Sequence, residues 1–169
     1  METLTFRRAT AADLPRIDAA LRVLSESLGD THRASAEDLA RAGFGPAPAF
    51  HVLLAEMPEP ETEPATPLPA GLALFSPLYS TSRGAAGVYV SDLWVNDHLR
   101  GRGLGPRLLA AVRDEAAALW GGAGFLRLGV YAHSTRARAF YDRLGFAPSP
   151  GETYLTVTGA ALAALGRTA

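Results

Sequence analysis

Apolar and polar residues alternate with the two-residue period of a half-buried β-strand at the start of the chain, over residues 4–7. The following apolar residues recur every three or four positions, which is the spacing of one face of an α-helix. They are Leu14, Ile17, Leu21, Leu24 and Leu28. Thr10 and Asp13 have the spacing of a capping box that begins this helix, and Asp13 followed by Pro15 is the alternative start. A second short helix is predicted over residues 35–42, with Gly43 ending it.

The middle of the chain is rich in β-branched and aromatic residues and predicts three strands, over residues 50–55, 72–75 and 88–95. Between the first two lies a segment, residues 57–69, that is dominated by proline and glutamate. Because such a composition cannot bury apolar surface, we expect a flexible hairpin loop there rather than a linker between domains.

The last part of the chain alternates between helical and strand patterns. A long amphipathic helix follows a glycine-rich turn and ends at residues 121–122. Its apolar face consists of Leu104, Leu108, Leu109, Val112, Ala116 and Leu119. A strand over residues 126–131, a helix from Ser134 to Leu144 and a final strand over residues 153–158 complete the prediction. This order of elements is typical of an α/β sheet with helices on both faces.

Composition restricts the class of protein further. The 169 residues suit one domain, residues 1–169, and the 48% hydrophobic and 20% charged content is that of a soluble globular protein. No apolar stretch is long enough for a membrane span and the first residues lack a secretory signal, so we expect a cytoplasmic protein with no membrane partner. There is no cysteine, and the four histidines lack metal-ligand spacing, so we expect no metal. A net charge of −1 disfavours nucleic-acid binding.

The most informative segment is the glycine-rich turn R-G-R-G-L-G, residues 100–105, between a strand and a helix. Glycines let a ligand approach the backbone closely, and the N–H groups at the start of a helix bind anions. Three arginines, Arg100, Arg102 and Arg107, add positive charge. A Walker A loop needs a lysine, which this chain lacks, and the glycine spacing is not that of a dinucleotide-binding fold. The turn therefore predicts a phosphate or pyrophosphate site.

Two segments resemble the GNAT acetyltransferase family. The turn at residues 100–105 matches the family signature R/Q-x-x-G-x-G/A, and residues 134–146 match N-x-x-A-x-x-F-Y-x-x-x-G-F with Ser134 in place of the asparagine. Further segments are similar to the diamine (spermidine/spermine) branch, which includes the thialysine acetyltransferases. They are Asp38-Leu39, residues 43–45, Phe50-His51, residues 54–56 and residues 91–95.

The resemblance implies a GNAT fold: a twisted, mixed but mostly antiparallel sheet of six to seven strands flanked by helices, with a splay between two strands for the pantetheine arm. It implies acetyl-CoA as co-substrate and a homodimer. The implied binding positions are Leu93, Trp94, Val95, Arg100, Gly101, Arg102, Gly103, Leu104, Gly105, Pro106 and Ser134. Tyr141 matches the tyrosine that protonates the departing thiolate, and a phenol suits that role because it holds its proton at neutral pH.

The expected reaction is direct attack of a neutral primary amine on the thioester. The backbone N–H of Trp94 or Val95 would stabilise the oxyanion, and Asp92 is a candidate base. Polyamine enzymes carry acids at the positions of Ser91 and Leu28, so a polycationic acceptor is doubtful. Further candidate groups for the acceptor pocket are Glu56, Glu152 and His133. The acceptor is expected to be a small amine, diamine-like or amino-acid-like.

Two other functions remain open on the same scaffold. One is an acetyltransferase that acts on a lysine or the N-terminus of a protein, which requires an open groove. The other is a non-catalytic domain that binds acyl-CoA as a sensor, which the departures at Ser91 and Ser134 allow.

Overall fold

The structure, a computed structural model, describes residues 4–57 and 68–166. Most of the predicted hairpin loop, residues 58–67, lies outside this part of the chain. The chain divides into two compact units between Ser134 and Thr135. The first unit contains β1 (Thr5–Arg8), α1 (Leu14–Leu28), α2 (Ala36–Phe44), β2 (His51–Glu56), β3 (Gly71–Ser80), β4 (Ala85–Val95), α3 (Leu104–Trp120) and β5 (Phe125–Leu128). The second contains α4 (Thr135–Arg143) and α5 (Gly159–Ala163). That the whole chain is one domain stays a prediction.

The sheet of the first unit has five strands in the order β1-β2-β3-β4-β5. The first three pairings are antiparallel and the last, β4 with β5, is parallel. The prediction of a mixed, mostly antiparallel sheet in an α/β fold is therefore confirmed, but the number of strands, six to seven, was too high for the described residues. The predicted strand over residues 126–131 is shorter, since β5 ends at Leu128.

The final strand predicted over residues 153–158 is wrong. In the structure this segment has no regular secondary structure, and it is exposed throughout. Leu155 is 91% exposed. An alternating pattern forms a strand only where a neighbouring strand supplies hydrogen bonds and a layer covers one face. Residues 153–158 take no part in the strand pairings of the described residues.

Helices cover both faces of the sheet, as predicted. On one face, side chains of β2, β3 and β4 pack against α1 and α2 in a buried cluster that includes Val52, Leu54, Leu72, Trp94, Ile17, Leu21 and Leu39. On the other face α3 packs against the central strands. The ring of Trp120 at the end of α3 lies 6.0 Å from the ring of Phe75 on β3 and 5.6 Å from that of His51 on β2. We call these the α1–α2 face and the α3 face.

A β-bulge interrupts β4 at Ser91. Leu74 of β3 is opposite Asp92, but the next residue, Phe75, is opposite Val90, so Ser91 has no partner position on β3. Because side chains alternate between faces with a period of two, one extra residue moves every following side chain to the other face. Val90 therefore lies on the α3 face, whereas Asp92 lies on the α1–α2 face.

The second helix begins as predicted and ends later. At its start the Asp38 N–H donates to the Ser35 hydroxyl at 3.1 Å, and the Ser35 N–H donates to the Asp38 carboxylate at 3.1 Å. The helix continues through Gly43 to Phe44. Gly43 does not end it. A side chain at Gly43 would collide with the ring of Phe50, so this glycine permits a close approach of helix and strand.

A charged network joins the beginning of α1 to the edge of the sheet. Arg7 donates two hydrogen bonds to the nearly buried Asp13, at 2.7 and 2.8 Å, and two to Glu56, at 2.7 and 3.0 Å. The Thr10 N–H also donates to Asp13, at 2.8 Å. These hydrogen bonds hold the pKa of Asp13 well below its usual range, and those from Arg7 contribute most. The network fixes α1, one wall of the α1–α2 face, to β1 and β2.

We expect Asp13→Asn to lower the free energy of unfolding by about 2 kcal/mol near pH 7, less than for a fully buried pair because Arg7 is partly exposed and keeps Glu56. A carboxyl whose pKa is lowered by folding stabilises the protein above its unfolded pKa, and this contribution is lost as pH falls through the folded pKa. Urea titrations should therefore show a constant difference between variant and wild type down to about pH 5, which shrinks below about pH 4.

The matched control is Asp114→Asn, because the exposed Asp114 forms an ion pair with its neighbour Arg113 and with no other group in the described part of the chain. It should change stability by no more than about 0.5 kcal/mol. A difference between Asp13→Asn and wild type that grows on acidification would contradict the assignment.

Candidate active site

The sheet opens where β4 and β5 part. These strands pair from Gly87 opposite Phe125 to Val90 opposite Leu128, and β4 continues for five residues beyond that point. The Asn96 N–H donates to the Ala70 carbonyl at 3.0 Å, toward the β3 side. Since backbone groups of successive strand residues point in opposite directions, Trp94 also faces β3. The backbone groups of Leu93 and Val95 then face the opening that β5 leaves.

The glycine-rich turn follows this opening directly. A short 3-10 turn, Asp97–Leu99, leads into residues 100–103, and α3 begins at Leu104. Gly101 and Gly103 have φ values of 76° and 75°, a left-handed conformation that other residues adopt only with strain. The space around both glycines is open. Close approach of a ligand to this backbone is therefore unobstructed.

The start of α3 is suited to an anion. Gly103 is its N-cap and supplies no side chain to bond the first N–H groups of a 17-residue helix. Pro106 lies within the first turn, where a missing N–H costs nothing. Arg102 forms no hydrogen bond or ion pair within the described residues, whereas Arg100 bonds the Asp97 carboxylate at 2.7 Å and the Val95 carbonyl at 3.1 Å. The donors present fit a pyrophosphate group.

On the α1–α2 face, Asp92 lines a cavity of about 280 Å³. The other polar lining residues are Ser25, Thr31, His32 and Arg33. Burial raises the pKa of Asp92, and the Ser91 hydroxyl and His32 offset this only in part. His32 is held by a 2.9 Å hydrogen bond between its Nε2 and Asp18 on α1. The site thus places a partly buried proton-accepting group in a small cavity.

A hydrogen bond spans the neighbourhood of this cavity. The Tyr131 hydroxyl donates to Asp30 at 2.5 Å and links the segment after β5 to the loop after α1. The His133 ring stacks on Tyr131, with the ring centroids 5.3 Å apart. The bond to Asp30 raises the pKa of Tyr131, and the charge of the nearby Asp92 adds to that effect. Sequence reasoning missed Asp30 and Tyr131. The available signal was the acid two residues after Leu28.

The second unit carries Tyr141 on α4. Its ring lies edge-to-face against Phe140 at 5.0 Å and against Phe146 at 5.5 Å, and burial raises the pKa of its phenol. Ser134 comes directly before this helix, and its N–H donates to the Tyr131 carbonyl at 2.9 Å. The raised pKa keeps the phenol protonated at neutral pH, which a general acid requires.

Other candidates lie elsewhere. Glu56 is engaged by Arg7 and Arg16, so it belongs to the network at the edge of the sheet. Glu152 is exposed, in the second unit. A larger cavity, about 420 Å³, lies beside α1, and Arg16, the one charged side chain among its described lining residues, is paired with Glu56. In residues 4–57 and 68–166 no three histidine, aspartate or glutamate side chains are grouped as metal ligands. No helix there is long and apolar enough to span a membrane.

Comparison with known proteins agrees with this geometry. Residues 21–146 match the acetyltransferase (GNAT) family. The chain belongs to the GNAT family. This GNAT protein is 34% identical over 147 residues to thialysine N-epsilon-acetyltransferase of Bos taurus. The aligned region covers 86% of this chain and 85% of the relative. It is 29% identical over 143 residues to L-ornithine N5-acetyltransferase NATA1 of Arabidopsis thaliana, covering 81% of this chain and 60% of the relative.

The fold agrees as well. Aminoglycoside N-acetyltransferase AAC(6')-Iy in complex with CoA superposes with a TM-score of 0.71 at 16% identity, covering 95% of this chain and 97% of that one. The predicted family, the similarity to the thialysine branch, the α/β fold and the class of enzyme, an N-acetyltransferase, are thereby confirmed. Enzymes of the GNAT family use acetyl-CoA.

Gly103 and Gly121 provide a matched test of the anion site, because they lie before and after the same helix with the same φ of 75° and the same open surroundings. Replacement of either by alanine should cost about 1 kcal/mol of stability through left-handed backbone strain. Only Gly103→Ala should also weaken CoA binding in isothermal titration calorimetry, by about tenfold, because only Gly103 adjoins the free N–H groups of α3. Equal CoA affinities in the two variants would contradict the assignment.

Proposed function

We propose that this GNAT enzyme transfers the acetyl group of acetyl-CoA to a primary amine of a small molecule. The observation that carries the proposal is the arrangement around Ser91. The bulge turns Asp92 into the cavity on the α1–α2 face, and the next three residues border the opening between β4 and β5. The acetyl thioester group of the donor and a small amine can then meet on one short segment of β4.

The donor would bind along that opening. Its pantetheine arm would pair with the backbone of Leu93 and Val95, as a strand pairs with an edge. Its pyrophosphate would bind the N–H groups of residues 101–105, with the side chain of Arg102 free to add charge. Ser134 stands at the position of the asparagine in the family pattern and is the remaining proposed contact. A hydroxyl can make the same kind of bond with a shorter reach.

The reaction would be a direct attack in a ternary complex. Asp92 would take the proton of the bound ammonium, and the neutral nitrogen would form a bond to the thioester carbonyl carbon. The N–H of Leu93 or Val95, rather than that of Trp94, would donate to the carbonyl oxygen while it carries negative charge. Tyr141 would give its proton to the sulfur as the carbon–sulfur bond breaks, the nitrogen would lose its second proton to water as the amide forms, and the tyrosinate would recover a proton from water. Both reactants are held in place, which supplies much of the rate.

A small acceptor agrees with the size of the cavity, about 280 Å³, which is at the lower end of ligand pockets and too small for a folded protein surface. The names of two relatives, a thialysine and an ornithine acetyltransferase, likewise describe small amines. We therefore favour a diamine-like or amino-acid-like acceptor over a protein acceptor or a sensor role.

We also propose a homodimer located in the cytoplasm. In the second unit Leu155, Leu162 and Leu165 are 91%, 52% and 65% exposed. Apolar surface of this kind is often covered by a partner. Because the chain resembles the diamine acetyltransferases, which are homodimers, we propose that this partner is a second copy of the chain. The cytoplasmic location rests on the composition of the sequence.

The first test measures thiol release from acetyl-CoA with a panel of amines: diamines, diamino acids and aminoglycosides. Tyr141→Phe should lower kcat about 100-fold, because it removes the proton donor for the thiolate. Tyr79→Phe is the control, since Tyr79 is 65% exposed on β3 outside the proposed site, and it should retain full activity. If acetyl-CoA binds but no amine on the panel releases thiol, a protein acceptor or a sensor replaces this proposal. Failure to bind acetyl-CoA would refute the proposed donor.

The second test concerns Asp92. Because burial raises its pKa, the charged form costs stability, and this cost disappears as pH falls below the folded pKa. Asp92→Asn should therefore melt at the same temperature as wild type or higher at neutral pH, while kcat/KM falls about 100-fold. The wild-type pH profile should lose activity on acidification above the usual carboxyl range, and the variant should lack that limb. Asp114→Asn, on the surface of α3, should behave as wild type. A stable variant with unchanged kcat/KM would remove Asp92 from the mechanism.

A further inference from the structure

The charged groups around the Asp92 cavity are not equally available to a ligand. Asp18 already accepts a hydrogen bond from Arg22 at 2.8 Å and contacts His32 at 2.9 Å. Asp30 already accepts the hydroxyl proton of Tyr131. These two carboxylates lie near the cavity, outside its described lining, and both have partners. A bound molecule would have to displace those partners to use them.

Two charged side chains of the lining remain without an ion-pair partner. Asp92 forms no ion pair in the described part of the chain; the neutral Ser91 hydroxyl interacts with it, and its side chain is partly buried. Arg33 is exposed at the loop between α1 and α2, lines the same cavity, and forms neither an ion pair nor a hydrogen bond within residues 4–57 and 68–166. The cavity thus offers one free carboxylate and one free guanidinium.

From this charge balance we infer that the acceptor is an amino acid, with its carboxylate bound by Arg33 and an amine directed to Asp92. This inference rests on the proposed transfer to a small amine and names the class of that amine. A guanidinium binds a carboxylate with two parallel hydrogen bonds, which fixes orientation as well as adding affinity. Arg33 is therefore the residue that determines specificity, and it takes no part in the chemical step.

A polyamine fits the same cavity poorly. Each of its nitrogens is positively charged at neutral pH, so one end would face the Arg33 guanidinium in a partly desolvated space. Asp92, the one carboxylate among the described lining residues, could compensate one of those charges. Polyamines are therefore disfavoured for two reasons. Arg33 repels their positive charge, and the acids that polyamine enzymes carry at the positions of Ser91 and Leu28 are missing.

L-ornithine and putrescine form a matched pair of probes, since they differ only by the carboxylate. The wild-type enzyme should prefer ornithine in kcat/KM by about tenfold or more, the effect of a charge-assisted contact. Arg33→Gln should raise KM for ornithine about tenfold with little change in kcat, because the contact is equal in the ground state and the transition state. It should leave putrescine unchanged or improve it. Arg33→Glu should reverse the preference.

Arg113→Gln is the control, because Arg113 is exposed on α3 and, among residues 4–57 and 68–166, pairs with its neighbour Asp114 alone. It should leave both probes unchanged. Melting temperatures of all variants show whether each one folds, and Arg33 is exposed enough that none should be lost. An unchanged ornithine-to-putrescine ratio in both Arg33 variants would overturn the inference.

Equilibrium binding separates this inference from the proposed reaction. Ornithine and putrescine are titrated calorimetrically into the complex of the enzyme with CoA, which cannot react. Ornithine binding that weakens about tenfold in Arg33→Gln supports the inference even if no thiol is ever released, in which case the proposed function alone fails. Thiol release with putrescine, combined with no detectable binding of ornithine, would keep the enzyme and refute the amino-acid acceptor.

Discussion

The candidate site depends on where β4 stops pairing with β5. Parallel pairing ends at Val90 and Leu128, whereas β4 remains bonded to β3 as far as Val95. The segment from Ser91 to Val95 is consequently anchored on one side and open on the other. A strand with two partners could present no backbone groups to a ligand, and a strand with none would not hold its shape. One-sided pairing gives both a rigid segment and a free edge.

The bulge at Ser91 is the second requirement, and it explains what sequence patterns could not supply. Val90 and Trp94 are both buried, and their even spacing suggests one face of a strand. They lie on opposite faces because the chain inserts one residue between them. A pattern of alternating residues contains no mark of such an insertion. The sequence therefore placed Asp92 on the right strand but could not say which face it occupied.

Local chemistry, by contrast, was predictable. Glycines at residues 101 and 103, the N-terminus of α3 and the capping of α2 by Ser35 follow from short-range rules, and all occur where those rules place them. Long-range contacts were not. The predicted strand over residues 153–158 lacks a neighbour, and Asp30 meets Tyr131 across 101 positions. Acids absent at Ser91 and Leu28 suggested a depleted pocket, and the one acid of the loop after α1, Asp30, is engaged by Tyr131.

The costs that the fold tolerates are concentrated on one short segment. Ser91 breaks the register, Asp92 is a carboxyl whose ionised form is penalised by burial, and the indole Nε1 of Trp94 is buried without a partner in the described part of the chain. An unsatisfied buried donor alone costs about 1–3 kcal/mol. The antiparallel pairing of β1 with β2 and of β2 with β3 has no such irregularity. These unfavourable features lie within five residues, beside an open strand edge and an anion-binding turn. Such clustering is expected where selection for ligand binding outweighs selection for stability.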